Sequence, residues 1–447
     1  MIQPIPAVRR NTEASLLFVS AIVAIGGYWL ASLAHDPGAP PQIAGYAALF
    51  VGLYLAVHLA IRRLAPAADP LFFPIAALLN ALGFVLIARL DRAGVQSLAA
   101  AQARWLVVAI AAFIAVLVLV PDVRGLARFR YTWALVGVCL LLLPLLPGLG
   151  REIGGARLWI RLGPLNFQPA EFGKIALVLF FAGYLSERRE LLAVTTRRIG
   201  PIGIPEIRHF GPVLMAWGVS LVVMIQQKDL GSSLLFFAIF VAMLWMATAR
   251  PIYLLAGATL FSAGAWGAYH LFDHVQRRIM VWIEPFADLH GRGFQIVQSL
   301  FALATGGAWG TGLGLGRPDL IPNVATDFIF SALGEELGLA GTTAVLVAFA
   351  LFSARAFGLA TRCRDGFSKL LAAGLATAFS LQTFLIVGGV TNLIPLTGVT
   401  LPFVSYGGSS LLSNFILVAL LVRISDEAAN QPVQTSPTEL GPAGGGR

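Results

Sequence analysis

Twelve apolar stretches, each about twenty residues long, constrain the fold of this chain more than any other feature. A helix of about twenty apolar residues spans the hydrocarbon core of a bilayer, where every backbone polar group must be satisfied internally. Of the 447 residues 57% are hydrophobic and only 12% are charged, about half the charged fraction of a soluble domain. The sequence therefore predicts an all-α polytopic membrane protein, with spans beginning near Ala14, Ile43, Leu71, Trp105, Tyr131, Glu171, Phe210, Ser232, Ile252, Phe328, Leu370 and Ser405.

The distribution of Lys and Arg between alternate loops predicts the orientation. With both termini in the cytoplasm, nineteen of these residues fall inside and eleven outside, as the positive-inside rule favours. The net charge of +9 therefore reflects how basic residues are distributed between the two sides of the membrane, and it does not indicate nucleic-acid binding. An anionic ligand such as pyrophosphate would explain the many outer arginines. For each arginine taken alone, ordinary loop solubility is the favoured explanation.

The longest connection, 272–326, is predicted to be extracytoplasmic and ordered, because aromatic and apolar residues occur throughout it. Within it, residues 291–303 have helical spacing, with Phe294, Val297 and Phe301 on one side. This pattern predicts a re-entrant or interfacial helix. The tail 431–447 is polar and rich in Pro and Gly, which predicts disorder.

The stretch Thr326 to Gly338, TDFIFSALGEELG, places three carboxylates at the start of an apolar run. Asp327 falls where the helix would begin, and Glu335 and Glu336 are predicted about 12 Å deeper, at ~1.5 Å per residue. A charge inside a bilayer costs roughly 2.5–3.5 kcal/mol, so a functional role is the default interpretation. The alternative for Asp327 is that it caps the helix N-terminus.

The stretch LNFQPAEFGK (165–174) predicts a helix start with Glu171 and Lys174 on one face. Two interpretations stay open: a buried ion pair that fixes one helix, or a cation held at the outer end of a cavity for an anionic headgroup. The preceding residues 154–163, which include Arg157 and Trp159, predict an amphipathic loop on the outer leaflet.

Three further stretches contain helix breakers or junctions. The glycine-rich residues 306–316 favour close packing over a phosphate cradle. The interrupted apolar run 393–412 predicts non-helical backbone that lines a cavity, with hydroxyls from Ser405, Tyr406, Ser409 and Ser410. Residues 226–233, with Lys228 and Asp229, favour a helix cap with a local ion pair.

Four of these stretches together resemble the SEDS proteins (shape, elongation, division and sporulation). They stand in the family's order and comprise 165–174, 294–307, 326–339 and 400–412. The resemblance implies a ten-span core over 68–430, preceded by a two-helix addition over 1–67 similar to that of actinobacterial members. It also implies a peptidoglycan glycosyltransferase that polymerises lipid II outside the cytoplasmic membrane of a bacterium. The implied partner is a class B penicillin-binding protein, a transpeptidase that cross-links the product.

The resemblance also implies site residues, because the family's essential aspartate corresponds to Asp327. Our mechanistic hypothesis is an inverting displacement in which Asp327 removes a proton from the acceptor's 4-hydroxyl. Lys174, Arg157 or a divalent cation such as Mg²⁺ or Mn²⁺ would stabilise the leaving pyrophosphate. The other candidate substrate-binding residues are Glu171, Gln298, Ser299, Glu335, Ser405, Tyr406 and Ser409.

Two departures and two alternatives accompany this hypothesis. Asn323 stands where many members carry a carboxylate, so a carboxylate there cannot be essential in this chain, and Lys228 replaces a more usual proline. A lipid II flippase would also suit buried charges, although no inverted repeat with paired broken helices is evident. A passive scaffold is a third possibility, which the costly charges disfavour.

Overall fold

The chain forms a bundle of α-helices, which confirms the predicted fold class. A computed structural model describes residues 6–34, 38, 40, 42–91, 98–153, 156–162, 165–193, 197–199, 202–204, 218, 226–227 and 229–430. The helices of these residues are α1 (Pro6–Leu33), α2 (Ile43–Leu64), α3 (Phe72–Asp91), α4 (Leu98–Leu119), α5 (Arg130–Leu142), α6 (Ala170–Ala193), α7 (Leu230–Thr248), α8 (Ile252–Leu271), α9 (Asp273–Ile283), α10 (Phe294–Gly306), α11 (Ile329–Arg362), α12 (Gly366–Val390) and α13 (Gly408–Asn430).

Within the described ranges, nine helical segments are long and apolar enough to cross a membrane. They are α1 to α4, the segment Val123–Leu145 that contains α5, and α7, α11, α12 and α13. Helices α6 and α8 occupy two more of the predicted span positions without being among the nine. The predicted span near Phe210 and the tail 431–447 lie outside the described residues. The structure therefore supports a multi-pass membrane protein but does not confirm a count of twelve spans.

Two small antiparallel sheets accompany the helices. The first contains β1 (Gly150–Ile153), β2 (Ala156–Leu162) and β3 (Leu165–Phe167), paired in the order β1-β2-β3. The second contains β4 (Arg197–Ile199) and β5 (Ile202–Ile204). The expectation of an amphipathic loop over 154–163 is wrong, because most of that stretch is the central strand of a sheet.

Helix α11 is broken at Gly338, whose φ of 66° and ψ of −168° are not helical. Two ion pairs show that α3 and α11 run antiparallel. Asp69, before α3, lies 3.5 Å from Arg355, while Arg89, in the last turn of α3, lies 2.7 Å from Glu336. Glu336 therefore lies at the far end of the membrane-crossing part of α11. The prediction of one continuous helix from Asp327 through the apolar run is therefore wrong, because the break at Gly338 separates Glu335 and Glu336 from the part of α11 that continues to Arg362. The depth of the two glutamates relative to Asp327 stays a prediction.

The glycine-rich residues 306–316 pack against this break, as predicted. Backbone N–H groups of Thr311 and Gly312 donate to the carbonyls of Glu335 and Glu336, at 2.9 and 3.1 Å. A Cβ at Gly310 would lie 2.2 Å from the Glu336 carbonyl oxygen, so only glycine allows this approach. The segment packs closely through its glycines, and its N–H groups are used within the protein.

The long connection 272–326 is ordered and contains α9 and α10, which confirms the predicted order and the helix near 291–303. Its extracytoplasmic location and the re-entrant or interfacial nature of α10 stay predictions. The side of α10 predicted to carry Phe294, Val297 and Phe301 is not uniformly buried. Val297 is buried, but Phe301 is half exposed and contacts Phe286, with 6.3 Å between the ring centroids. The buried side is instead formed by Ile296, Val297, Ser299 and Ala302.

Helices α1 and α2 pack against α3 through aromatic contacts. Phe84 lies at the centre, with ring centroids 4.9 Å from those of Tyr46 and Phe50 and 6.1 Å from that of Tyr28. At the opposite end of these helices, Glu13 accepts from Arg10 and lies 2.9 Å from Nδ1 of His58. The two N-terminal helices are thus joined to the rest of the bundle along most of their length.

Candidate active site

Asp327 lies on a tight turn immediately before α11. The turn depends on Asn323, which has a positive φ of 57°. Asn tolerates this backbone conformation better than most residues do. The Asn323 carbonyl accepts hydrogen bonds from the backbone N–H groups of Thr326 and Asp327, both at 3.1 Å. Asn at this position therefore suits the turn that carries Asp327.

The segment 400–407 fixes the same turn from the other side. The hydroxyl of Ser405 donates to the Thr326 carbonyl at 2.5 Å, and the N–H of Tyr406 donates to the Ala325 carbonyl at 2.8 Å. Ser405 also accepts from the N–H of Leu401 at 2.9 Å. Ser405 and Tyr406 thus hold the backbone that carries Asp327.

The carboxylate of Asp327 does not cap α11. The N-cap residue is Phe328, with no side-chain capping bond, so the structure excludes the alternative weighed from the sequence. Asp327 is half-buried, and one of its oxygens faces Gly398, where a built Cβ would lie 3.9 Å from Oδ2. The carboxylate is therefore oriented by its backbone and left without a capping task.

Burial raises the pKa of Asp327 from its ordinary value to about 6. The Thr326 hydroxyl and the positive charge of Arg278 lower this pKa, while the negative charge of Asp229 raises it. A carboxylate with a pKa near 6 is ionised at neutral pH, yet it is a stronger base than an ordinary aspartate. These are the properties required of a general base.

Arg278 and Asp229 bring two further charges to the site. Arg278, on α9, is half-buried and donates from Nη1 to the carbonyls of Leu396 and Thr397, at 3.1 and 3.2 Å. Asp229 is buried and caps α7 by accepting from the N–H of Ser232 at 3.0 Å, which confirms the predicted cap. Burial raises the pKa of Asp229 and lowers that of Arg278. Lys228 lies outside the described residues.

Lys174 forms the centre of a second polar cluster. Only 3% of Lys174 is exposed, and its Nζ donates to Oε2 of Glu171 at 2.9 Å and to Oε1 of Gln382 at 2.5 Å. Oε2 of Glu171 also accepts from the Ser413 hydroxyl at 3.1 Å. These bonds join α6, α12 and α13. The geometry supports the interpretation of a buried ion pair that fixes helices, and it encloses the ammonium group.

The interrupted run 393–412 continues this cluster towards Asp327. Gln382 donates to the Thr400 carbonyl at 2.9 Å, and the Thr400 hydroxyl donates to that of Ser410 at 2.7 Å. The hydroxyl of Ser409 accepts from the N–H of Gln168 at 2.9 Å, which ties the end of β3 to α13. The non-helical backbone is therefore stabilised by side chains from α12 and α13, as buried irregular backbone requires.

The remaining candidates lie apart from this arrangement. Arg157 is exposed on β2, and Gln298 is half-buried on α10. Ser299 is fully buried, with its hydroxyl 2.6 Å from that of Ser331 and donating to the Val390 carbonyl at 2.9 Å. Glu335 accepts from the N–H of Arg317 at 2.7 Å. Ser299 thus supports α11 behind Asp327, and Glu335 holds the glycine-rich segment.

Among the described residues, no group of three His, Cys, Asp or Glu side chains could hold a metal ion. Glu171, Asp229 and Asp327 belong to three separate elements, and Glu171 and Asp229 are already engaged with Lys174 and a helix N-terminus. A divalent cation therefore stays a prediction from the resemblance, and no reaction step below depends on it.

Sequence reasoning missed Arg278 and Gln382. Arg278 adjoins Arg277, and no local pattern separates the half-buried arginine from its exposed neighbour. Gln382 did carry a signal, because it is a lone amide within the apolar run of α12, where a polar group needs a partner.

The chain is similar to proteins of known name. The sequence model of the FtsW/RodA/SpoVE family, described as cell cycle protein, matches residues 69–430. The peptidoglycan glycosyltransferase RodA of Mycobacterium tuberculosis is 45% identical over 446 residues, which cover 98% of this chain and 95% of that protein. The probable peptidoglycan glycosyltransferase FtsW of Geobacter metallireducens is 34% identical over 313 residues, covering 70% of this chain and 80% of that one.

One solved structure provides a comparison of the fold. It comes from work on the structural coordination of polymerization and crosslinking by a peptidoglycan synthase complex. The matched chain has a TM-score of 0.67 and 27% sequence identity, over 82% of this chain and 99% of that one. The agreement extends over nearly all of the solved chain, so the helix arrangement described above is shared with it.

Proposed function

The chain belongs to the FtsW/RodA/SpoVE family, and we propose that it is a peptidoglycan glycosyltransferase that polymerises lipid II at the outer face of the bacterial cytoplasmic membrane. The observation that carries this proposal is the state of Asp327. Its carboxylate is half-buried beside Arg278 and Gly398 and has no capping role, and the turn that carries it is held by hydrogen bonds from segment 400–407. A carboxylate kept in this way suits proton abstraction better than a structural task.

The proposed reaction is a single inverting displacement. Lipid II is a disaccharide-pentapeptide on undecaprenyl pyrophosphate, with an α-linked sugar. The ionised carboxylate of Asp327 accepts the proton of the acceptor's 4-hydroxyl, and that oxygen forms a β-1,4 bond to the anomeric carbon of the donor. The bond between this carbon and the pyrophosphate oxygen breaks, and undecaprenyl pyrophosphate leaves with the electron pair.

The charges around Asp327 support this chemistry. The leaving pyrophosphate is already anionic, so cations stabilise it more than a proton donor would. Arg278 supplies a half-buried positive charge near Asp327, and Arg157 supplies an exposed one on β2. Lys174 is enclosed by Glu171 and Gln382, so its contribution is to the shape and potential of the site.

An apolar groove on the bundle suits the lipid carrier. A cavity of about 350 Å³ lies between α7, α8 and α12, and its lining includes Leu234, Phe237, Phe261 and Leu381. Leu381 precedes Gln382 on α12, so the groove and the polar cluster lie at the same level of this helix and on different faces of it.

The proposed orientation places Asp327 outside. The Lys and Arg count assigns the termini to the cytoplasm. Asp69 and Arg355 lie at the cytoplasmic end of the α3–α11 pair by that count, so Arg89 and Glu336 lie at the outer end. Helix α12 begins after the cytoplasmic end of α11 and runs back to the outer side, where Gly398, beyond its end, faces Asp327. The synthase complex to which the similar solved chain belongs supports a class B penicillin-binding protein as partner.

The proposal is tested with purified protein and labelled lipid II in detergent. Glycan strands of many disaccharides are the expected product, since detergent micelles have no second side to which a substrate could be moved. Transfer of lipid II across sealed vesicles without polymer formation would instead establish a flippase and contradict the proposal. Adding the purified class B penicillin-binding protein tests the partner assignment, and the same assay with heat-denatured protein is the control.

A further inference from the structure

Arg278 lies where three segments meet close to Asp327. Its Nη1 binds the carbonyls of Leu396 and Thr397, and Gly398, the next residue, is the one that faces the Asp327 carboxylate. The first turn of α7 also approaches this segment, because a Cβ at Gly231 would lie 2.4 Å from the Thr397 carbonyl oxygen. The segment 396–398 is therefore enclosed by α9, α7 and the turn of Asp327.

Only part of the Arg278 guanidinium is used by these bonds. Arginine has five N–H donors in a planar fork. Nη1 makes the two carbonyl bonds, while Nε and Nη2 are not among the buried polar atoms without partners. Among the described residues, no carboxylate lies within 4.0 Å of the Arg278 guanidinium, the limit for an ion pair. Asp229 and Asp327 are nevertheless close enough for their charges to act on Arg278. Its charge is thus shared between two acids and not consumed by one contact.

We propose that Arg278 is a positioning residue for the base, which holds segment 396–398 against α7 and sets the potential at Asp327 in balance with Asp229. This inference rests on the proposed function, because it assigns Asp327 as the base of that reaction. Asp229 is the opposing member of the balance. It is buried at the N-terminus of α7, where its side chain also caps the helix.

The charged groups around Asp327 come from few elements. Helix α9 contributes Arg278, and the start of α7 contributes Asp229. Helix α6 contributes Glu171, which interacts with Asp229 and is itself neutralised by Lys174 at 2.9 Å. Segment 396–398 contains no titratable side chain. Two single substitutions therefore change the local charge in opposite directions.

The test measures kcat/KM for polymerisation against pH for four variants. Arg278→Gln removes the positive charge, so the acidic midpoint of the profile should move up by about one pH unit. Asp229→Asn removes the negative charge and keeps a good capping group, so the midpoint should move down. Arg278→Lys keeps the charge and should restore a midpoint close to that of the unaltered protein. Arg277→Gln is the matched control, because Arg277 is the exposed neighbour, and its midpoint should stay unchanged.

The outcomes separate this inference from the proposed function. If the unaltered protein forms no glycan strands, the proposed function fails. If it does form strands but Arg278→Gln and Asp229→Asn leave the midpoint in place or move it in the same direction, the positioning role of Arg278 is refuted. Should Arg278→Gln fail to fold, Asp229→Asn still tests the balance of charges, since Asn keeps the cap and removes only the negative charge; an unmoved or raised midpoint in this variant refutes the balance.

Discussion

The raised pKa of Asp327 predicts a specific loss of activity in mild acid. Asp327 acts as a base only when ionised, and burial raises its pKa to about 6. At pH 7 about 90% of the carboxylate is ionised, and at pH 5 about 10% is, whereas an ordinary aspartate would still be about 90% ionised at pH 5. The sign is therefore fixed: activity falls as the pH drops through 6, by about ninefold between pH 7 and pH 5.

The assay is the initial rate of glycan formation at low lipid II concentration, which reports kcat/KM and hence the pKa of the free enzyme. It should be run from pH 4.5 to 8 at constant ionic strength and with one detergent. Thermal unfolding at each pH is the control, since it shows whether the protein stays folded over this range. A profile that is flat down to pH 5, with the protein folded throughout, would refute the assignment of a perturbed base.

Three other predictions concern the polar contacts that support Asp327. Lys174→Met should lower the free energy of unfolding by about 3–5 kcal/mol, because it leaves the largely buried carboxylate of Glu171 without its cation. Thermal unfolding in detergent measures this loss against the control Lys369→Met, which changes an exposed lysine, and equal stability of the two variants would contradict the prediction. Glu336→Gln should also destabilise the protein, because the neutral amide has one acceptor oxygen for two donors, Nε of Arg89 at 2.7 Å and the N–H of Gly314 at 3.0 Å. An unchanged melting temperature would show that this contact does not hold the break in α11. Ser405→Ala should lower the free energy of unfolding by about 1–3 kcal/mol and reduce kcat, because the Leu401 N–H and the Thr326 carbonyl lose their hydrogen-bond partner. The control is Ser262→Ala, which changes an exposed serine on α8, and the same stability and kcat in both variants would contradict the role of Ser405.

The apolar runs and the resemblance predicted the helical bundle and Asp327, since both depend on local composition and short motifs. The break in α11 at Gly338 could not be predicted, because it depends on how the glycine-rich segment 306–316 pairs with the backbone of Glu335 and Glu336. The sheet over 150–167 was also missed, although Gly154-Gly155 and Gly163-Pro164 flank its central strand and are typical turn signals. The sequence left two interpretations of Glu171 and Lys174 open. The buried ion pair is favoured by the 2.5 Å bond from Nζ of Lys174 to Oε1 of Gln382, a residue more than 200 positions further along the chain.

The site around Arg278 shows the same limit more clearly. Arg277 and Arg278 are adjacent and identical in type, but only Arg278 lies on the side of α9 that contacts Leu396 and Thr397. Which of the two approaches the carboxylate is decided by how α9 packs against segment 396–398. A local sequence pattern contains no information on that packing.

The most direct test of the account is polymerisation of lipid II by Asp327→Asn. Asn has nearly the same shape and cannot accept the proton, so glycan formation should fall by a factor of about 10²–10⁴, while the melting temperature stays close to that of the unaltered protein. Ser262→Ala, purified in parallel, should retain full activity. Strand formation by Asp327→Asn at a near-normal rate would contradict the assignment of Asp327 as the base.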